Sequence, residues 1–239
     1  NASRARFEVH QFKPALKFFD SDRQRLLIAD EVGLGKTIEA GIIYQELNAR
    51  NQSPLERVLV VCPSGLKEKW HQELLSRFGE DFIVADSRAL VRRIELFHQG
   101  QRRFKVIVPL ETIRVDPARK RLEEAIDEGL DFDLTIVDEA HHLRNPETGS
   151  HQIAEAIADA SAHLLLLTAT PVQLGREDLY NILSLFDRTL FPNVHVFNDV
   201  IEPNRYVNLL VASLNERDWK GAKAALSEVL GWSRTSHFA

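Results

Sequence analysis

Cysteine, long apolar runs and an excess of basic residues are all scarce or missing in this sequence. The single cysteine, Cys62, excludes an internal disulfide framework and is typical of proteins from a reducing compartment. No apolar run approaches the length of a membrane span and the N-terminus lacks a signal-peptide pattern, so we expect a cytoplasmic protein with no membrane partner. The net charge of -5 excludes a uniformly basic coat for nucleic acid, although a local basic groove stays open.

Methionine is absent from all 239 residues, and the chain opens on Asn1 and Ala2 rather than on a start residue. It also stops without an obvious terminus, so we expect a fragment excised from a longer protein. With 44% hydrophobic and 27% charged residues, the composition is that of a soluble globular protein. At this length we expect one large domain, or one domain and part of another.

Residues 26–40 form the stretch around which the rest of the chain is organised. An apolar run at 26–28 predicts a strand, and a glycine-containing turn then leads through Gly35-Lys36-Thr37 into an amphipathic helix. Such a turn binds phosphate, because the loop N–H groups and the helix N-terminus attract an anion. Lys36 would reach the β- and γ-phosphates of a nucleotide, and the Thr37 hydroxyl would ligate Mg²⁺.

One position departs from the usual phosphate-loop pattern, because Asp30 stands where a glycine is expected. We still assign the whole turn to nucleotide binding. Its residues are Asp30, Glu31, Val32, Gly33, Leu34, Gly35, Lys36 and Thr37.

Asp138 and Glu139 follow a second apolar run, at 134–137, and provide the acids that a phosphate loop needs. Asp138 would hold Mg²⁺, through water, and Glu139 would orient and deprotonate the attacking water. Lys36, Asp138 and Glu139 are therefore the candidate catalytic residues, with Thr37 and Asp138 as the candidate metal ligands.

Short apolar runs alternate with helical patterns over most of the chain. Besides 26–28, strands are predicted at 58–62, 82–84, 106–108, 134–137 and 164–167. This alternation predicts an α/β fold with a mostly parallel central sheet and helices on both faces. The motifs all follow strands, at the edge where open α/β sheets bind ligands. We expect residues 1–190 to form this domain and 191–239 to begin a following, partly helical element.

The motifs together resemble those of superfamily-2 helicases. The resemblance rests on the loop at 30–37, on the Asp-Glu-Ala-His sequence (a DEAH box) at 138–141 and on Thr-Ala-Thr-Pro at 168–171. The aspartate in the loop, the continuation Thr-Ile-Glu-Ala-Gly and the run Pro-Val-Gln-Leu-Gly at 171–175 are similar to the Swi/Snf-type double-stranded DNA translocases, and to their bacterial RapA-like branch. The resemblance covers about residues 11–187.

This resemblance implies an N-terminal RecA-like lobe with a P-loop NTPase fold, acting on ATP with Mg²⁺. It implies that Gln11 reads the adenine edge, and that two loops hold the backbone of one DNA strand. The residues that match the coupling motifs are His141, Thr168, Thr170 and Gln173. Those in the DNA-binding loops are Ser64, Gly65, Leu110, Glu111 and Thr112, and the candidate phosphate contacts nearby are Lys67, Lys69, Arg92 and Arg93.

The implied function is that of an ATP hydrolase which is stimulated by DNA, moves along double-stranded DNA and remodels protein–DNA complexes in the bacterial cytoplasm or nucleoid. The alternatives are a strand-separating DNA or RNA helicase of superfamily 2, and an ATP-binding sensor without turnover. The implied partners are duplex DNA, a second RecA-like lobe of the same polypeptide, and RNA polymerase or another DNA-bound protein. Nothing after Pro192 resembles the second lobe, so we expect the chain alone to be weakly active.

Overall fold

The computed structural model describes residues 8–30, 33, 35–169, 175–187, 189, 191–215 and 218–235, with the backbone alone at 203–208 and 229–235. The chain forms two compact units, Asn1–Phe186 and Asp187–Ala239. The strands of the first unit are β1 (Arg25–Ile28), β2 (Arg57–Cys62), β3 (Ile83–Val84), β4 (Phe104–Pro109), β5 (Phe132–Val137) and β6 (Ser161–Leu167). Its helices are α1 (Lys13–Asp20), α2 (Lys36–Arg50), α3 (Lys67–Phe78), α4 (Ser87–His98), α5 (Leu110–Ile113), α6 (Ala118–Asp127), α7 (Gly149–Asp159) and α8 (Arg176–Leu183).

The six strands form one sheet in the order β1-β6-β5-β2-β4-β3, and every paired strand runs parallel to its neighbour. Because all strands point the same way, their carboxyl ends share one edge of the sheet and their amino ends share the other. The loops that follow the strands are therefore gathered along a single edge, the carboxyl edge. This arrangement decides which motifs of the sequence can meet.

Side chains alternate between the two faces of the sheet, as β2 illustrates. Leu59 and Val61 join the apolar cluster that contains residues of α4, α6 and α7, whereas Val58 and Val60 join the cluster that contains residues of α1, α2 and α3. Strands buried on both faces are nearly continuous in hydrophobic residues, which is why they were visible in the sequence. The predicted α/β fold with helices on both faces is confirmed.

Five strands begin earlier than their apolar runs predict, and on β4 and β5 the added residues include polar side chains that are satisfied by partners. Lys105, on β4, is buried and its Nζ donates to Tyr44 Oη and Glu80 Oε2, both at 2.7 Å. Asp133, on β5, accepts a hydrogen bond of 2.9 Å from the backbone N–H of Arg57. Such partners lie far away in the sequence, so periodicity alone excludes these residues from the strands.

The second unit contains two helices that pack against each other, α9 (Val194–Asn215) and α10 (Trp219–Thr235). Phe197 is fully buried in this unit and meets Phe191 edge to face, with 5.0 Å between the ring centroids. The tail is therefore more regular than the partly helical element predicted from the sequence. No helix in the described part of the chain has the length and hydrophobicity needed to cross a membrane.

Candidate active site

The carboxyl edge brings together the segments that follow β1, β6, β5 and β2. The backbone N–H of Thr168, just after β6, donates to the carbonyl of Ile28 at the end of β1, at 3.0 Å. The N–H of Asp138, just after β5, donates to the carbonyl of Val61 near the end of β2, at 2.7 Å. These bonds extend the sheet ladder by one residue, so the phosphate loop, the two acids and Thr168 lie along one continuous edge.

Glycine is required at Gly35 for two separate reasons. Its φ of +96° lies in the left-handed region, and a Cβ atom there would come within 2.6 Å of the Gln11 Nε2 atom. Gly33 also has a positive φ, of +93°. The structure thus gives the loop the tight backbone that close approach to a phosphate needs. Glu31, Val32 and Leu34, also assigned to nucleotide binding, lie outside the described residues.

Lys36 is the first residue of α2, and Thr37 follows it in the first turn. The Lys36 Nζ atom donates to the Asp30 carbonyl oxygen at 2.8 Å, so the ammonium lies over the loop that the sequence assigns to phosphate. The charge of Lys36 also lowers the pKa of Asp138, although burial of Asp138 is the larger effect and raises it. The ammonium and the carboxylate therefore share one electrostatic environment.

Glu39 is a feature of the site that the motif did not single out. Its side chain is fully buried, and neither carboxyl oxygen accepts a hydrogen bond from a described donor; the carboxyl of Asp30 is close enough to share a proton with it. Burial and the neighbouring carboxyl of Asp30 raise the pKa of Glu39 to about 7, against the lowering effect of Lys36. The feature of the sequence that could have identified Glu39 is its position one helical turn before the buried Ile43, on the apolar face of α2.

Asp138 is 8% exposed, and both of its carboxylate oxygens accept hydrogen bonds. The indole Nε1 of Trp70 donates to Oδ2 at 2.8 Å, and the backbone N–H of Glu139 donates to Oδ1 at 2.9 Å. Burial raises the pKa of Asp138, and these two hydrogen bonds act in the opposite direction. Trp70 belongs to the apolar core, so its indole both packs there and donates to the candidate metal ligand.

Glu139 has a φ of +52°, a left-handed conformation that is uncommon for a residue with a side chain. Residues held in this way cluster at functional sites. Glu139 Oε2 lies 3.1 Å from His141 Nδ1. Burial and the neighbouring His142 lower the pKa of His141, although Glu139 opposes them, and this lowering favours the neutral imidazole.

Gln11 lies against the phosphate loop, in contact with Gly35. Its side chain is 5% exposed, and its Oε1 accepts a hydrogen bond of 3.0 Å from the backbone N–H of Glu8. Thr168 is fully buried at the end of β6. Thr170 and Gln173, the other candidate coupling residues, lie outside the described residues, as does any contact between Gln173 and His141.

The two candidate DNA-binding loops are linked to each other. Ser64 and Gly65 are exposed in a short 3-10 turn after β2, and the backbone N–H of Ser64 donates to Glu111 Oε2 at 3.2 Å. A carboxylate repels phosphate, so Glu111 braces the Ser64 turn instead of attracting DNA. The side chain of Leu110 is buried in the core, so only its backbone could contact DNA, and its assignment to a DNA-binding loop stays a prediction. Thr112 is half-buried in α5.

The basic candidates fall at different edges of the sheet. Lys67 begins α3, directly after the exposed turn, and Lys69 is exposed on the same helix. Arg93, in contrast, donates to the side chain of Gln101 at 3.3 Å and to the carbonyl of Arg103, which precede β4 at the amino edge. Arg92 is exposed on α4 beside it. The structure does not bring Arg93 to the candidate DNA-binding loops.

The residues at the carboxyl edge fit a nucleotide and Mg²⁺. The hydroxyl of Thr37 and the carboxylate of Asp138 are hard oxygen donors, which Mg²⁺ prefers. The backbone at Gly35 is left-handed and lies against the Gln11 side chain, and the ammonium of Lys36 donates to the carbonyl of Asp30 in the same loop. An anion with a bound magnesium ion matches this combination of charges.

Comparisons with known proteins point to one family. The family model for the SNF2-related domain matches residues 10–230. The RNA polymerase-associated protein RapA of Vibrio campbellii is 37% identical over 236 residues, which are 95% of this chain and 23% of that protein. RapA of Photobacterium profundum is 41% identical over 178 residues, 72% of this chain and 18% of that protein. The chain thus spans less than a quarter of the length of these relatives.

A solved structure, the Sulfolobus solfataricus SWI2/SNF2 ATPase core in complex with dsDNA, has the same fold. It matches with a TM-score of 0.60 at 21% identity, covering 81% of this chain and 38% of that chain. This likeness confirms the RecA-like α/β lobe predicted from the sequence. Given the family model and the RapA relatives, the chain belongs to the SNF2-related domain family, on its RapA-like branch.

Proposed function

We propose that the chain is the ATP-binding lobe of a DNA-dependent ATPase of the Swi/Snf type, which moves along double-stranded DNA and remodels the complexes that proteins form on it. The observation that carries the proposal is the convergence at the carboxyl edge. Lys36 comes from a segment far from that of Asp138 and Glu139 in the sequence, and Lys36 and Asp138 interact electrostatically. A phosphate loop and a pair of acids so arranged are what ATP hydrolysis requires.

Each residue then has a defined task. The loop N–H groups and the ammonium of Lys36 bind the phosphates, and Thr37 and Asp138 hold Mg²⁺. Magnesium, when bound, neutralises charge on the phosphate oxygens. Glu139 orients the attacking water and accepts its proton, and His141 beside it relays the state of this site towards the loops that contact DNA.

Duplex DNA is the partner for which the site's surroundings argue most directly. The exposed turn at Ser64 and Gly65 and the basic residue Lys67 lie at the same edge as the ATP site, so DNA and nucleotide would be held side by side. Contacts of this kind are made to the phosphate backbone and carry no base specificity. We expect binding to depend strongly on salt and little on sequence.

We propose further partners on the basis of the chain's similarity to its relatives. RapA is described as RNA polymerase-associated, and we propose RNA polymerase or another DNA-bound protein as the target of this motor. We also propose that a second RecA-like lobe completes the ATP site. In such motors that lobe supplies an arginine, and an arginine of this kind is worth about 10³–10⁵ in rate. The 239-residue chain by itself should therefore bind ATP–Mg weakly and turn it over slowly.

The ATPase rate of the full-length protein, measured with duplex DNA, single-stranded DNA, RNA or no nucleic acid, tests the proposal. Strong stimulation by duplex DNA alone supports the translocase. Equal or greater stimulation by single strands or RNA would replace it with a strand-separating helicase. Absence of turnover under all four conditions would instead favour a sensor that binds ATP without hydrolysing it.

A further inference from the structure

Trp70 connects the candidate DNA-binding turn with the candidate metal site. It lies in the first half of α3, the helix that directly follows the exposed turn at Ser64 and Gly65, and its side chain is 1% exposed. Its indole Nε1 donates a hydrogen bond of 2.8 Å to Asp138 Oδ2, just beyond β5. One side chain therefore joins α3 to the carboxylate that would hold Mg²⁺.

We propose that Trp70 is a positioning residue for Asp138. Its indole N–H fixes the orientation in which the carboxylate holds Mg²⁺ beside the nucleotide phosphates, and it ties that orientation to the position of α3. The inference rests on the proposed function, because it concerns the same metal site.

The two donors to Asp138 differ in what they can fix. The backbone N–H of Glu139, 2.9 Å from Oδ1, belongs to the next residue and moves with Asp138. Trp70 comes from 68 residues earlier in the chain and is anchored in a different helix. Of these two donors, Trp70 is the one that holds the carboxylate relative to another element of the fold. Residues that orient a metal ligand in this way are commonly worth about 10–100-fold in metal affinity.

Packing alone does not account for this indole. Trp70 belongs to the apolar cluster that also contains Leu74 and Tyr44, and a phenylalanine could fill much of the same space without burying a donor. A buried N–H without an acceptor would destabilise the fold, so the donor and Asp138 satisfy each other. The polar contact and the packing are separate properties, and two substitutions can separate them experimentally.

Two replacements of Trp70 are compared in the full-length protein. Trp70→Phe removes the N–H and part of the ring, whereas site-specific incorporation of 3-benzothienylalanine keeps the bicyclic shape and replaces the N–H by sulfur. The matched control is Ser161→Ala, which removes a buried hydroxyl that donates to the carbonyl of Ile157 at 2.6 Å, at the amino edge of the sheet. Each protein is titrated with the fluorescent nucleotide mant-ATP in EDTA and at increasing MgCl₂.

In the wild type, we expect MgCl₂ to raise the affinity for mant-ATP. Both replacements should need about tenfold more MgCl₂ than the wild type to reach half of that rise. Their affinity in EDTA, and both properties of Ser161→Ala, should equal those of the wild type. An unchanged MgCl₂ requirement in the benzothienyl protein overturns the inference. An equal loss of affinity in EDTA and in MgCl₂ overturns it as well, because Trp70 would then act through packing. Failure of the wild type to bind mant-ATP would overturn the proposed function instead.

Discussion

Two charged groups at opposite edges of the sheet differ in how they are satisfied. At the amino edge, the guanidinium of Arg25 donates to four backbone carbonyls, those of Ala158, Ser161, Leu185 and Phe186. At the carboxyl edge, the buried carboxyl of Glu39 accepts no hydrogen bond from a described donor and faces the carboxyl of Asp30, and Glu139 has a left-handed backbone. The contrast holds for these groups and not for each edge as a whole, since the Nε of Arg93 is buried without a described partner at the amino edge and Gln24, just before β1, has a φ of +47°.

This difference is physically reasonable for a site that awaits a charged ligand. A buried carboxyl without a donor and a left-handed residue each cost stability, and they persist because the surrounding structure compensates. The saturated contacts of Arg25 and of Asp133 at the amino edge provide part of that compensation. The comparison predicts that substitutions at the carboxyl edge change activity, and that those at the amino edge change the free energy of unfolding.

The largest effect is expected from Glu139→Gln. The amide cannot accept the proton of the attacking water, so ATP turnover by the full-length protein should fall by about 10²–10⁴. Binding of mant-ATP with Mg²⁺ and the unfolding midpoint should stay near those of the wild type, because glutamine keeps the size of the side chain. A variant that retains turnover would show that Glu139 is not the base, and the carboxyl edge would lose its catalytic assignment.

The counterpart at the amino edge is Arg25→Leu. It removes the donor from four carbonyl oxygens and should lower the free energy of unfolding by about 2–4 kcal/mol, measured by urea denaturation. Well below the unfolding midpoint, the affinity for mant-ATP should be unchanged. Arg121→Ala is the control, since it breaks only surface pairs with Glu124 and Glu128 and should cost less than about 1 kcal/mol. A loss of nucleotide affinity in Arg25→Leu would contradict the separation of the two edges.

Most of the fold, and the edge of the sheet at which the candidate ATP site lies, could be predicted from the sequence, because the information was local. Strands buried on both faces appear as apolar runs, and the phosphate loop depends on residues that are adjacent in the chain. The parallel sheet then required the loop and the acids of the DEAH box to share an edge. For the same reason the branch of the family could be identified from short motifs.

What the sequence could not supply were contacts between distant residues. The bond between Trp70 and Asp138 joins residues 68 positions apart, and neither side chain indicates its partner. The burial of Leu110 and the position of Arg93 at the amino edge likewise follow from tertiary packing. The sequence therefore did not indicate that the Leu110 side chain is buried or that Arg93 lies away from the candidate DNA-binding loops.

A smaller effect with a defined dependence on pH is expected from Glu39→Gln. The pKa of Glu39 in the folded chain is about 7, above that of an unfolded glutamate, so the folded chain holds the proton more tightly. The stability of the wild type should therefore fall as the pH rises from about 4.5 to about 7 and then level off. The variant has no carboxyl at position 39 and therefore lacks this pH-dependent contribution to stability. Its amide can donate a hydrogen bond to Asp30.

Urea denaturation in EDTA at a series of pH values tests this prediction. Glu39→Gln should match the wild type near pH 5 and exceed it at pH 8 by about 1–3 kcal/mol. Glu46→Gln, on the same helix and in a surface pair with Arg50, is the control and should leave the pH profile unchanged. If the stability of Glu39→Gln and of the wild type changed with pH in parallel, the buried carboxyl of Glu39 would not lower the stability of the fold at high pH.

The smallest effect compares one basic residue at each edge. Lys67 begins α3 next to the exposed turn, whereas Arg93 is held by Gln101 and Arg103 at the amino edge. If duplex DNA binds at the carboxyl edge, Lys67→Ala should weaken binding of the full-length protein about twofold to fivefold and reduce the salt slope by about 1. Arg93→Ala should change neither quantity in fluorescence anisotropy with a labelled duplex. Equal effects of the two substitutions would mean that DNA contacts both edges, because phosphate attraction acts over only about one Debye length, ~8 Å at physiological salt.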